Sequence, residues 1–175
     1  MNCKPSMLAL AAALLLAGPA ALAATLDYSG TTVGGATFNR PVETLDYVPM
    51  ADMDTYSAFE FTVGSTGFYS FLSTAEGGWD NFLVLYAPTF NPGMPLTGAL
   101  VANDDLGGTT IGQSGFSWGL TAGVRYTLVT TGVAASGLFD NSINGPGSIA
   151  AVPEPSTYLM LAFGLAAIGY LRRRR

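Results

Sequence analysis

The sequence predicts an all-β protein: one antiparallel β-sandwich of jelly-roll type, preceded by a signal peptide and followed by a single short C-terminal transmembrane helix. Three observations lead there. Residues 55–63 alternate, with Phe59, Phe61 and Val63 on one face and Glu60 and Thr62 on the other, which is the period of a half-buried strand. Comparable short runs recur about every 8–12 residues, separated by glycine-rich turns, as in sandwiches and barrels. No stretch within residues 24–151 keeps a helical apolar period for ten residues or more.

The N-terminus opens with Lys4, an apolar run over residues 7–17, the helix-breaking Gly18-Pro19 and the small-x-small triplet Ala21-Leu22-Ala23. That order is a secretory signal peptide over residues 1–23, removed by signal peptidase after Ala23 or, as the competing site, Ala24. Cys3, the chain's one cysteine, precedes the apolar run and leaves with it, so the domain of residues 24–151 has no disulfide. A chain of that length buries enough surface to fold without one.

Within the domain, residues 26–33 and 45–48 read as short edge strands, where Pro41 and Pro49 are tolerable. Residues 55–63 and 68–73 read as the two arms of a hairpin around Gly64-Ser65-Thr66-Gly67. Glu76-Gly77-Gly78 turns the chain into residues 79–86, where Phe82, Leu83, Val84, Leu85 and Tyr86 are apolar on both faces, as in a central strand. Residues 88–95 form a loop, and 98–103 a strand that ends at Asp104-Asp105. Residues 115–120 and 124–131 read as a second hairpin around Thr121-Ala122-Gly123. Residues 138–143 are a closing strand and 144–147 the exit. Phe59, Phe61, Leu83, Leu85, Trp118 and Leu128 are expected in one core.

Composition narrows the chemistry. Residues 24–151 hold eleven acidic residues against Arg40 and Arg125, a net charge of −9, so phosphate backbones are repelled and nucleic acid is not an expected partner. There is no histidine, which removes Ser-His-Asp and Cys-His nucleophiles and, without a mature cysteine, ordinary zinc, copper and haem ligation. No catalytic residue and no organic cofactor is expected, and the domain is read as non-enzymatic. Glu60, Glu76 and Asp80 show no arrangement that would make a glycosidase pair.

Residues 152–175 form a separate unit. Pro153-Glu154-Pro155 breaks the chain ahead of an apolar segment, residues 157–171, and the sequence closes on Arg172, Arg173, Arg174 and Arg175. Fifteen residues make a helix of about 22 Å, a marginal membrane span suited to a temporary tether, with the arginines held on the cytoplasmic side. These three parts, in this order, resemble the PEP-CTERM sorting signal of Gram-negative bacteria. The resemblance implies an inner-membrane-anchored precursor, cut near Pro153-Glu154-Pro155 by an exosortase and passed to the cell envelope or an exopolysaccharide matrix.

The domain has likenesses of its own. Residues 59–63, 78–86, 102–107 and 120–129 are similar to small PEP-CTERM proteins of the FxDxF type and, more distantly, to the pre-peptidase C-terminal β-sandwich domains of secreted proteases. The Phe-x-Asp-x-Phe motif itself is absent, and Phe59-Glu60-Phe61 is its nearest counterpart. Both likenesses imply an accessory, non-catalytic role, structural or adhesive, with exopolysaccharide as the candidate partner. The competing class is a calcium-dependent carbohydrate-binding module.

Two constellations bear on that choice. Asp80, Asn103, Asp104 and Asp105, with Asn81 nearby, supply the oxygen ligands that calcium takes if their loops converge. The same residues also cap turns by accepting backbone N–H groups, and that role, indifferent to calcium, is the expected one. Asp52-Met53-Asp54 lacks the glycine and closing glutamate of an EF-hand. Trp79, Trp118, Tyr69 and Tyr126 are the aromatic candidates for stacking on sugar. Trp118 is expected in the core and Trp79, beside Gly77-Gly78, at the surface.

Overall fold

A computed structural model describes residues 23–46, 53–153 and Arg172. Eleven strands run through it: β1 (Ala23–Thr31), β2 (Thr37–Asn39), β3 (Met53–Thr55), β4 (Ser57–Val63), β5 (Gly67–Ala75), β6 (Asn81–Tyr86), β7 (Ala99–Asn103), β8 (Gln113–Leu120), β9 (Arg125–Gly132), β10 (Leu138–Pro146) and β11 (Ile149–Ala151). They make a four-stranded sheet ordered β1-β10-β5-β8, a five-stranded sheet ordered β11-β4-β9-β6-β7 and the small β2-β3 pair. Every pairing is antiparallel. From β4 to β11 the chain changes sheet at every connection except β6 to β7, which winds the two sheets together in a jelly-roll order. The signal peptide and the apolar C-terminal segment expected from the sequence lie outside the described residues.

The two large sheets face each other through one apolar layer. Phe61 and Val63 of β4, Leu83 and Leu85 of β6, and Tyr126 and Leu128 of β9 meet Tyr69 and Phe71 of β5, Leu120 of β8 and Ile143 of β10. Buried polar pairs also cross between the sheets. Asn81 Nδ2 donates to Ser73 Oγ at 2.9 Å and Asn141 Nδ2 to Thr130 Oγ1 at 2.8 Å, while the Oδ1 of each amide is buried without a partner. β6 is buried along its whole length, as its unbroken apolar run requires. Its even residues Phe82, Val84 and Tyr86 face a second cluster with Phe38 and Val129, covered by Tyr56 and Phe90. The β2-β3 pair thus lies over the outer face of the larger sheet.

Four expectations are corrected. Residues 55–63 and 68–73 are not hairpin partners: β4 pairs with β9 and β11, and β5 with β10 and β8. Likewise β8 and β9 lie in different sheets. Both short turns carry the chain across the core, and each is tied to a distant strand end: Gly64 N–H donates to the Ser148 carbonyl at 2.8 Å and Gly123 N–H to the Val63 carbonyl at 3.0 Å. Alternation marks which face is buried, and two strands that oppose each other across a core alternate as two paired strands do. The closing strand is longer than expected, since β10 runs through Asn144-Gly145-Pro146, and it lies inside its sheet between β1 and β5, with β11 after it. The described part of residues 45–48 is a turn, with Leu45 at a φ of 57°.

Trp118 is the one expected core residue that the structure moves outward. Its backbone is opposite buried Tyr69, but β8 is the last strand of its sheet, and the indole is 37% exposed. Phe59 is half-buried against the core, while Phe61, Leu83, Leu85 and Leu128 are fully buried.

Candidate functional site

The acidic residues singled out above lie at one end of the β6-β7 pair. Antiparallel register sets Leu83 opposite Asn103, so the residues just before β6 meet those just after β7. Asp80 precedes β6, Asp104 and Asp105 follow β7, and one oxygen from each lies within 4.8 Å of the others. Ser114 of β8, fully buried, holds the two ends together, its Oγ 2.6 Å from both the Asn81 and the Asp104 carbonyls. Gly77 and Gly78, with φ of 80° and 71°, supply the left-handed backbone that brings the chain round into Asp80.

The cluster is electrostatically unrelieved. Burial pushes the Asp80 carboxyl above the usual carboxylate range, and the charge of Asp105 adds to this. Asp104 is raised for the same reason, burial first and then Asp80, with smaller contributions from Asp105 and Glu43. Arg40 opposes both shifts. Asp104 Oδ1 and Asp105 Oδ1 are buried without a hydrogen-bond partner. Two partnerless carboxylate oxygens beside Asp80 make an oxygen-only donor set of the kind a hard cation takes.

Asn103 stands beside this group as scaffold. Its Oδ1 accepts the Gly115 N–H at 2.7 Å, and its Nδ2 donates to Glu43 Oε1 at 2.8 Å and to the Asp105 carbonyl at 3.3 Å. Glu43 and Arg40 were not singled out from the sequence. Arg40 is buried, its Nε 3.2 Å from Asp54 Oδ2, its Nη1 donating to the Pro41 carbonyl at 3.2 Å and its guanidinium 4.3 Å from the centre of the Phe82 ring. The one available signal was the scarcity of cations in so acidic a domain.

The aromatic candidates do not form a platform. Tyr69 is fully buried, its hydroxyl bonded to the Ser65 and Pro146 carbonyls. Tyr126 is buried, its hydroxyl accepting the Thr121 N–H at 2.8 Å. Trp79, expected at the surface, is half-buried: its ring lies where a Cβ on Gly137 would be 2.4 Å away, and its Nε1 donates to the Leu138 carbonyl at 2.8 Å. The two tryptophans thus exchange the environments expected of them, because Trp79 meets a strand start 59 residues further on, whereas Trp118 sits on a sheet edge. Of the carboxylates weighed for glycoside chemistry, Glu60 pairs with Arg125 at 3.4 Å on the surface and Glu76 is exposed in the turn before β6.

The described domain closes just ahead of the C-terminal unit. Ala151 ends β11, and the Val152 N–H donates to the Glu60 carbonyl at 2.9 Å. From there, residues 151–175 match the PEP-CTERM protein-sorting motif. The chain carries a PEP-CTERM sorting motif. The motif implies export and a membrane-anchored precursor processed by exosortase. Pro153 and Arg172 of the motif are described, and Glu154, Pro155 and residues 173–175 lie outside the described residues.

Comparison with solved structures finds seven similar chains, three of which are as follows. The chain is similar to the pre-peptidase C-terminal domain of a collagenase from Bacillus anthracis, at 13% identity and a TM-score of 0.44, over 68% of this chain and 88% of that one. It is also similar to PliG of Aeromonas hydrophila, a periplasmic inhibitor of g-type lysozyme, at 14% identity and a TM-score of 0.37, over 75% and 88%. The third is the CBM35 of Cellvibrio japonicus Abf62, at 14% identity and a TM-score of 0.38, over 74% and 99%. The comparison with curated proteins found no match.

Proposed function

We propose that this chain is an exosortase-processed, non-catalytic component of the cell envelope or exopolysaccharide matrix of a Gram-negative bacterium, with a structural or adhesive role. The observation that carries the reading is the sorting motif at residues 151–175, which begins at the last residue of β11. A compact acidic domain without histidine is consistent with a passive component. Intact-mass measurement of protein released from the cells is expected to lack residues 1 to about 23, as a signal peptide would be, together with everything beyond Pro153-Glu154-Pro155. Released protein that still carries Arg172, Arg173, Arg174 and Arg175 would overturn the processing.

The convergence of Asp80, Asp104 and Asp105 favours a second reading, a calcium-dependent binder of neutral carbohydrate. On this reading calcium relieves the mutual repulsion of the three carboxylates. Binding to the folded state alone adds about 2.7 kcal/mol at a hundredfold excess over the dissociation constant. Asp104→Asn is expected to abolish that gain and to leave the calcium-free domain as stable as before or more so.

The pH dependence has a definite sign. Both Asp80 and Asp104 are raised above the ordinary 3.8, so the folded state holds protons more tightly than the unfolded one. Without calcium, this contribution to stability therefore improves as pH falls from neutral through the raised values towards 3.8. With calcium, the same acidification displaces the ion and removes its gain. Thermal melting with and without millimolar calcium, at neutral and at mildly acidic pH, reads both effects. A melting point indifferent to calcium would leave these residues as turn caps and the first reading alone.

A further inference from the structure

Four strands lie at the sheet edges: β1 and β8 in the smaller sheet, β11 and β7 in the larger. An open edge offers a row of unpaired backbone groups to other chains, and exposed edges are normally short, charged, bulged or broken by proline. β11 has three residues and is followed by Pro153. β7 has five, and the pairing shifts register at Leu85/Tyr86 of its partner β6. β1 carries Asp27. β8 has none of these devices: its eight residues contain no charge and no proline, and they pair with β5 without a shift from Gly67↔Leu120 to Thr74↔Gln113.

Half of the β8 edge is already taken. The Gln113 carbonyl accepts the Leu106 N–H at 2.7 Å, and the Gly115 N–H donates to Asn103 Oδ1 at 2.7 Å. In an antiparallel ladder the outward groups belong to every second residue. Ser117 and Gly119 are therefore the residues whose N–H and C=O face outward with no strand beyond them among the described residues. Trp118 lies between them, 37% exposed, while Phe68 of β5, on the other face of the sheet, is 77% exposed.

We infer that β8 pairs with β8 of a second copy of this chain, antiparallel, about a two-fold axis at Trp118. In that register Ser117 of each copy faces Gly119 of the other and satisfies the outward groups of both residues, while the bond from the Gly115 N–H to Asn103 is left undisturbed. Trp118 then faces its own counterpart in a non-hydrogen-bonded pair, the close position in which cross-strand side chains touch. Two domains of net charge −9 repel wherever carboxylates approach, and the uncharged half of β8 lets them meet without that. The Asp80-Asp104-Asp105 clusters, beside Ser114, fall at opposite ends of the joined strands, each roughly 13 Å from the axis at about 3.3 Å per residue. The product is one continuous eight-stranded sheet, and it requires neither calcium nor the sorting motif.

A disulfide trap tests this on the exported, processed protein. Paired Cα atoms at such a position are about 4.5 Å apart, within disulfide range, and Cys3 is the only native cysteine. Trp118→Cys is expected to give a covalent dimer under oxidising conditions, and Phe68→Cys, more exposed but on the other face, to stay monomeric. Wild-type protein should sediment as a dimer at high concentration, and Ser117→Pro, which removes an outward N–H at an edge that tolerates proline, should shift it to monomer. A wild-type monomer at every concentration would overturn the proposal, including the case where a different protein fills the edge. Crosslinking of Trp118→Cys no faster than Phe68→Cys would do the same, even if Ser117→Pro fails to fold.

Discussion

Replacing Arg40 with leucine is expected to cost the domain about 3–5 kcal/mol, the range found when one partner of a buried ion pair is removed. The cost arises at Asp54, which is 5% exposed and would lose the guanidinium 3.2 Å away. The Ala134 N–H, donated to Asp54 Oδ1 at 3.1 Å, satisfies the other oxygen only. Arg40→Lys should recover little of the loss, because an ammonium cannot reach Asp54 and the Pro41 carbonyl while lying flat over Phe82. Removing both charges together, Arg40→Leu with Asp54→Leu, should cost less than the single change. Urea unfolding of the three variants checks this ordering. A single-variant loss below about 1 kcal/mol would mean that water reaches the pair and that it behaves as a surface pair.

Leu83→Ala carries the other large effect. Leu83 is fully buried on the strand between β9 and β7, with its side chain in the layer between the sheets. Truncation of a leucine in such a site costs about 2–5 kcal/mol, the upper part applying where the surroundings cannot collapse into the space. β6 is held on both sides by ladders and on both faces by apolar clusters, so little relaxation is open to it. Chemical denaturation measures the change directly. A loss below about 0.5 kcal/mol would place the residue outside a packed core.

These residues also show what could be read from the chain beforehand. Leu83 and its neighbours were legible because five consecutive apolar residues have no solvent face to offer, whatever strands lie beside them. Phe61 and Val63 were legible from alternation. The pairing of their strand was not, because the turn at residues 64–66 is short enough for a hairpin and is also long enough to cross a core. At the acidic cluster the sequence supplied Asp80, Asp104 and Asp105, whose turns are marked by glycine. It could not supply Glu43 or Arg40, which come to the site from the loop after β2 through contacts that no local pattern encodes. The exchange between Trp79 and Trp118 has the same origin, since the position of a strand within its sheet is a property of the whole topology.

The strand order also sets a timetable. β1 pairs only with β10, and β10 fills the place between β1 and β5, so the first strand of the domain has no partner until residues 138–146 are available. Closing so long a loop is what makes non-local β topologies slow, with folding times of about milliseconds to seconds. Half of the smaller sheet therefore assembles only once residues 138–146 are free to pair. The residues that complete the sheet come immediately before the sorting motif. The smaller sheet is therefore incomplete in any chain that stops short of β10, because β1 and β5 are joined only through that strand.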